Sequence, residues 1–291
     1  MERHLSVLAV QSPPHLIGAA FSLFADDARR AMESYPDTKL LAFPELHLFG
    51  DGSPDLQRSE VLRASAEPLS GPRVKALSEL ANELDVWLVP GSICELGSNG
   101  EFFNTQIVLS PEGELVAEYR KIFPWRPHEP FDPGDRFTVV DIDGIGKIGL
   151  NICFDAWFPE VSRQLAWMGA DVILNVVKTT TRDRELELVL ARANAIVNQV
   201  FVISVNCGGP VGEGRSIIVD PEGAIVAEAA GDSPELLAAD LNLGVVDRAR
   251  AQGTLGITRP WSQFRHGEKP IELPIYSGRM DPATWSPDMP R

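Results

Sequence analysis

Short apolar runs rich in β-branched residues recur along the chain, at 5–10, 39–43, 86–90, 106–109, 147–152, 172–176 and 200–205. Several are almost continuously apolar, as strands covered on both faces are. Between them, apolar residues fall at helical spacing over 17–34, 71–84, 159–168 and 184–198. Strands alternating with helices of that length predict an α/β protein. Two segments repeat each other 110 residues apart, IVLSPEGELVAE at 107–118 and IIVDPEGAIVAE at 217–228. Each reads as a β-hairpin turning at Pro-Glu-Gly. Two similarly built halves explain the repeat; chance recurrence of a common hairpin sequence is the alternative.

No Ser/Gly-rich linker separates the halves, so residues 1–255 are expected to form a single domain. After Gly256 the texture changes, with Pro260, Pro270, Pro274, Pro282, Pro287 and Pro290 interrupting any regular pattern. Residues 256–291 therefore read as an irregular C-terminal arm laid over a neighbouring surface.

Composition narrows the function. The 291 residues are 44% hydrophobic and 23% charged, ordinary for a folded globular chain. A net charge of -15 and a pI near 4.8 argue against a nucleic-acid partner, which requires a dense cationic face. No apolar run is long enough to span a bilayer, and the N-terminus alternates like a strand rather than showing a signal peptide's apolar block, so a cytoplasmic location is expected. Three cysteines, Cys94, Cys153 and Cys207, without a C-x-x-C pair or a histidine cluster, disfavour both a disulfide framework and a structural zinc site.

Three segments carry candidate chemistry. In Gly149-Leu-Asn-Ile-Cys153-Phe-Asp-Ala-Trp-Phe-Pro159 an apolar strand runs into a cysteine, and Pro159 opens a helix. A thiol on such an elbow lies beside backbone N–H groups suited to an oxyanion, although a cysteine in an apolar strand also packs as a small hydrophobe. The second segment, Tyr119-Arg-Lys121 followed by the aromatic, proline-stiffened loop to Gly134, combines a lysine at a strand end with the material of a pocket wall. The third, Leu40 to Gly50, is a buried strand ending in Phe-Pro-Glu45; a carboxylate there needs a partner or a raised pKa. His47 reads as structural. Nucleophile, cation and carboxylate form the set needed for acyl transfer through a thioester.

With these three motifs in order, the sequence resembles the nitrilase (carbon–nitrogen hydrolase) superfamily over roughly residues 1–240. The resemblance implies a four-layer α-β-β-α sandwich with two mixed β-sheets, and no metal or organic cofactor. It makes Glu45 the general base and Cys153 the nucleophile, with Lys121 and the Phe154 backbone N–H holding the oxyanion. Glu129, in Lys-Ile-Phe-Pro-Trp-x-Pro-x-Glu, matches a segment of aliphatic amidases and formamidases in which a second glutamate orients the amide and the attacking water. Hydrolysis of a small amide to a carboxylic acid and ammonia follows. Trp125, Phe131 and Trp157 are candidate pocket walls, and Asp155, which would repel a carboxylate, points to a neutral or amine-bearing substrate rather than an acidic one. The family's helix-mediated pairing implies a homodimer or larger homo-oligomer, with the arm touching the partner. Rival readings are nitrile or N-carbamoyl amide hydrolysis by the same triad, Cys207 as the nucleophile, and a catalytically silent binding protein.

Overall fold

The computed structural model describes residues 3–51, 55–142, 144–273 and 278–280. In chain order the elements are β1 (His4–Gln11), α1 (Phe21–Ser34), β2 (Leu40–Ala42), α2 (Asp55–Ala64), α3 (Pro72–Leu84), β3 (Trp87–Val89), β4 (Ser92–Leu96), β5 (Phe102–Leu109), β6 (Leu115–Arg120), β7 (Val139–Ile142) and β8 (Gly146–Ile152). There follow α4 (Pro159–Trp167), β9 (Val172–Val177), α5 (Arg184–Asn198), β10 (Phe201–Asn206), β11 (Ile217–Val219), β12 (Ile225–Glu228), β13 (Glu235–Asn242), α6 (Gly244–Gln252), β14 (Ile271–Leu273) and β15 (Gly278–Met280).

Side-chain alternation along the strands builds the layers. On β1, Leu5, Val7 and Ala9 face a core shared with Leu150, Ile152, Leu174 and Val176 of the other sheet. Leu8 and Val10 point the opposite way, onto Phe24, Ala28 and Leu77 of α1 and α3. The outer face of the second sheet packs Ile173 and Val202 against Leu165, Leu188 and Ala195 of α4 and α5. The result is the expected α-β-β-α sandwich.

The two sheets share one plan. Along the path β6-β5-β3-β2-β1-β13 of the first, the pairings run antiparallel, antiparallel, parallel, parallel, antiparallel, and along the second, β12-β11-β10-β9-β8-β7, the sequence of directions is the same. The first sheet adds a seventh strand, β4, antiparallel to β5, that has no counterpart in the second. The repeated segments are the corresponding hairpins, β5–β6 and β11–β12. Each turns at a glycine of positive φ, Gly113 and Gly223, and each shifts register at the same repeat position, Val108/Leu109 and Ile218/Val219. Shared topology and shared bulge favour two similarly built halves over chance recurrence.

Two boundaries differ from the sequence reading by more than one residue. Helix α1 starts at Phe21 rather than residue 17, because Gly18 adopts φ +83 and Ile17 donates its N–H to the Gly50 carbonyl. Strand β5 starts at Phe102, its polar Asn104, Thr105 and Gln106 being fully buried. The arm is less irregular than expected: it holds a short turn at Pro260–Ser262 and the β14–β15 hairpin. Trp261 packs 6.0 Å from Trp167 of this chain's own α4, under Arg163. Pro274, Pro282, Pro287 and Pro290 lie outside the described residues.

Candidate active site

The site forms where strands of both sheets end. Glu45 follows β2 in a tight turn in which Leu46 has φ +49 and donates its N–H to Ser92 Oγ at 3.0 Å. Gly91 supports this turn from beneath; a Cβ there would lie 1.7 Å from the Pro44 carbonyl oxygen, and its φ is +89. Lys121 follows β6 and is strapped on both sides, its N–H donating to the Asn104 carbonyl at 2.9 Å and its carbonyl accepting from Gly134 at 2.8 Å. Cys153 follows β8 with φ +46, a conformation uncommon outside glycine and typical of residues held under local strain at functional sites. The elbow is a 3-10 turn over Cys153–Trp157, with α4 opening at Pro159. Phe154 sits in its first turn, where N–H groups have no intrahelical acceptor.

The side chains converge as follows. Lys121, fully buried, places Nζ 3.0 Å from Glu45 Oε1 and 2.8 Å from Glu129 Oε1. Asn104 Nδ2 donates to the same Glu45 oxygen at 2.8 Å, and the Trp125 N–H donates to Glu129 Oε2 at 3.0 Å. Burial pulls the Lys121 ammonium down, but Glu45 and Glu129 outweigh it and hold the group well above its ordinary value. Burial first, then Glu45, pushes the Cys153 thiol well up, against the pull of Lys121. The resting nucleophile is therefore a thiol rather than the thiolate that a nearby lysine alone would produce. Such a sulfur needs a base at hand, and Glu45 belongs to its immediate charge environment.

The supporting residues differ from the sequence reading in two places. Asp155 does not face a substrate: it is fully buried, accepting from Tyr119 OH at 2.8 Å, the Phe123 N–H at 2.8 Å and the Ile152 N–H at 3.3 Å. Burial pushes its carboxyl up to about 6, against Lys121 and these donors. It ties the elbow to the segment after Lys121, so its charge says nothing about the substrate. Phe131 is not a pocket wall; it is buried on Phe102 at 4.6 Å in the helix-side core. Trp125 is well exposed and lies against His128, while Trp157 is half-buried 6.1 Å from Phe154.

Cys207 is fully buried, its thiol pushed up to about 12 chiefly by burial, and a Cβ on Gly212 would lie 2.3 Å from its sulfur. A sulfur walled in by backbone cannot reach a substrate carbonyl, which removes it as a nucleophile. His47 is fully buried among aromatic rings and its imidazole falls to about 3, chiefly through burial, in keeping with a structural role. Among the described residues no group of His, Cys, Asp and Glu is arranged to hold a metal. Asn104 escaped the sequence reading, although three consecutive polar residues in a buried strand signal a site in need of partners.

Comparison with known proteins agrees with this geometry. Residues 9–251 match the sequence model of the carbon–nitrogen hydrolase family. A formamidase of Pseudomonas syringae pv. syringae is 33% identical over 245 residues, 81% of this chain and 69% of the formamidase. A Saccharomyces cerevisiae protein, described as a member of branch 10 of the nitrilase superfamily, superposes with a TM-score of 0.75 at 32% identity, covering 85% of this chain and 93% of its own. An amidase from Nesterenkonia sp., solved as a Glu-to-Gln variant with the acetamide moiety of fluoroacetamide added covalently to the active-site cysteine, superposes with a TM-score of 0.70 at 26% identity, covering 86% of this chain and 95% of its own.

Proposed function

The chain belongs to the carbon–nitrogen hydrolase family, and from that premise we propose that it hydrolyses a small amide to a carboxylic acid and ammonia through a thioester on Cys153. One observation carries the assignment: a buried ammonium, Lys121, gripped between two carboxylates, Glu45 and Glu129, beside a strained cysteine.

Glu45 takes the Cys153 proton as the sulfur attacks the amide carbon. The oxygen of the tetrahedral intermediate is stabilised by Lys121 and the Phe154 N–H. Glu45 hands that proton to the amide nitrogen, so that collapse expels ammonia and leaves the thioester. Its carboxylate, restored, then deprotonates a water whose attack releases the acid, and the proton returns to the Cys153 sulfur. Glu129, fixed by Lys121 and the Trp125 N–H, presents a carboxylate to the amide nitrogen and to that water. Glu45 and Glu129 against Lys121 leave one excess negative charge around the sulfur. That excess, rather than Asp155, works against a carboxylate near the amide and supports a neutral or amine-bearing substrate.

Ammonia release from short aliphatic and aromatic amides, carbamoyl compounds and nitriles tests this. Release is expected from amides, absent in Cys153→Ala and reduced at least tenfold in Glu129→Gln with folding unchanged. Release from nitriles or carbamoyl compounds alone would move the assignment to that class, and no release at all would favour a silent binding protein.

Assembly into a homodimer is supported by α5, which exposes Leu186, Val189, Ile196 and Val197. Such a stripe is costly to leave in water. Light scattering should give at least twice the 31.8 kDa of one chain, and a monomeric mass would overturn the dimer. Among the described residues no helix is long and apolar enough to cross a membrane, which is compatible with the cytoplasmic location we infer.

A further inference from the structure

Besides Glu45 and Glu129, Cys153 has a third carboxylate in its surroundings, which the mechanism above does not use. Thr179, just beyond β9, places Oγ1 3.9 Å from the Cys153 sulfur and 2.8 and 2.9 Å from the two oxygens of Glu187 on α5. Its backbone is clamped by Asn206, which accepts the Thr179 N–H at 2.8 Å and donates to the Thr179 carbonyl at 3.3 Å. Glu187 is buried and bonded at 3.0 Å to Arg184, whose guanidinium also donates to Ser204 Oγ and the Arg215 carbonyl.

The direction of these bonds is fixed by chemistry. Arg184 stays charged, and a buried guanidinium demands a counter-charge, so Glu187 is a carboxylate that can only accept. Thr179 has a single hydroxyl hydrogen, and it is committed to Glu187. What Thr179 turns toward the sulfur is therefore a lone pair, which welcomes S–H and repels a bare thiolate.

We propose that Glu187, acting through the Thr179 hydroxyl, is a positioning residue that keeps Cys153 a neutral thiol at rest. The proton then leaves only when Glu45 removes it during attack. Charged groups reach the sulfur from both sides: Glu45, Lys121 and Glu129 from the first sheet and its loops, Glu187 and Arg184 from α5. Glu187 in turn faces Arg184 and Asp183.

The test is iodoacetamide labelling of Cys153, read by peptide mapping across pH. It rests on Cys153 being the reactive sulfur but needs no amide turnover, so it stands or falls separately from ammonia release. In Glu187→Gln the new amide N–H can donate to Thr179, freeing the hydroxyl hydrogen to turn to the sulfur. Labelling near neutrality should rise roughly tenfold, as its pH midpoint falls by about one unit. Thr179→Val should also lower the midpoint, Thr179→Ser should keep the wild-type profile, and Glu187→Gln should add nothing in the Thr179→Val background. A Glu187→Gln profile superimposable on wild type would overturn the proposal. So would equal acceleration with and without the hydroxyl, which would mean that the Glu187 charge acts directly. Should Glu187→Gln fail to fold, matching profiles for Thr179→Val and Thr179→Ser would overturn it equally.

Discussion

Lys121→Ala is expected to lower kcat by about a hundredfold to a thousandfold, the usual cost of removing one donor to a developing oxyanion. The same change should weaken the fold. Glu45, 2% exposed, and Glu129, 17% exposed, would face each other without the ammonium that now sits 3.0 and 2.8 Å from them. Stripping one partner from a buried ionic group costs on the order of 3–5 kcal/mol. For a domain of this size that lowers the melting temperature by roughly 6–20 °C. Kinetics measured well below the lowered transition, alongside thermal unfolding, separate the two effects. A folded Lys121→Ala enzyme with ordinary turnover would refute the oxyanion role.

Gly91→Ala should be among the most damaging single methyl groups that can be added beside the active site. The residue stands at φ +89, where a side chain costs about 1–2 kcal/mol. Its Cβ would also fall 1.7 Å from the Pro44 oxygen, inside any tolerable contact, and the neighbour is backbone, which cannot swing away. The turn carrying Glu45 must therefore shift. A displacement near 1 Å at a reacting group costs roughly a hundredfold in rate, and the combined strain should exceed about 3 kcal/mol of stability. Chemical denaturation and amide turnover measure both; a variant as stable and active as wild type would show that the Pro44 turn is not held from beneath.

These expectations rest on features of very different visibility in the sequence. Glu45, Lys121 and Cys153 stood out as candidates because each sits in a compact motif at a strand end, which survives in sequence as a change from apolar to polar residues; Glu129 stood out only through its fixed spacing from Lys121 in the proline-stiffened loop. Asn104 was not, because Asn-Thr-Gln in a strand looks like an interruption until the buried carboxylate it serves is known. Asp155 misled for a related reason: adjacency to Cys153 places it near the site, but at a positive-φ elbow successive side chains diverge, and this one turns inward to Tyr119. Thr179 and Glu187 carried no signal, since their relation to Cys153 is made by α5 folding back over the strand ends. The sandwich itself was visible from the alternation of apolar strands and helices, whereas the six-strand plan common to the two sheets was announced only by the Pro-Glu-Gly hairpins, and the extra strand β4 by nothing.

The return of β13 to the first sheet has a bearing on synthesis at the ribosome. It pairs along the whole of β1, His4 with Asn242 through Gln11 with Glu235, so the first strand of this domain is completed by almost its last. Until residue 242 has emerged, β1 is an open edge whose N–H and C=O groups are free to template another nascent chain. A released fragment that ends between residues 206 and 235 would hold β1–β10 but leave this edge bare. Aggregation-prone fragments of this protein are therefore expected to end in that window.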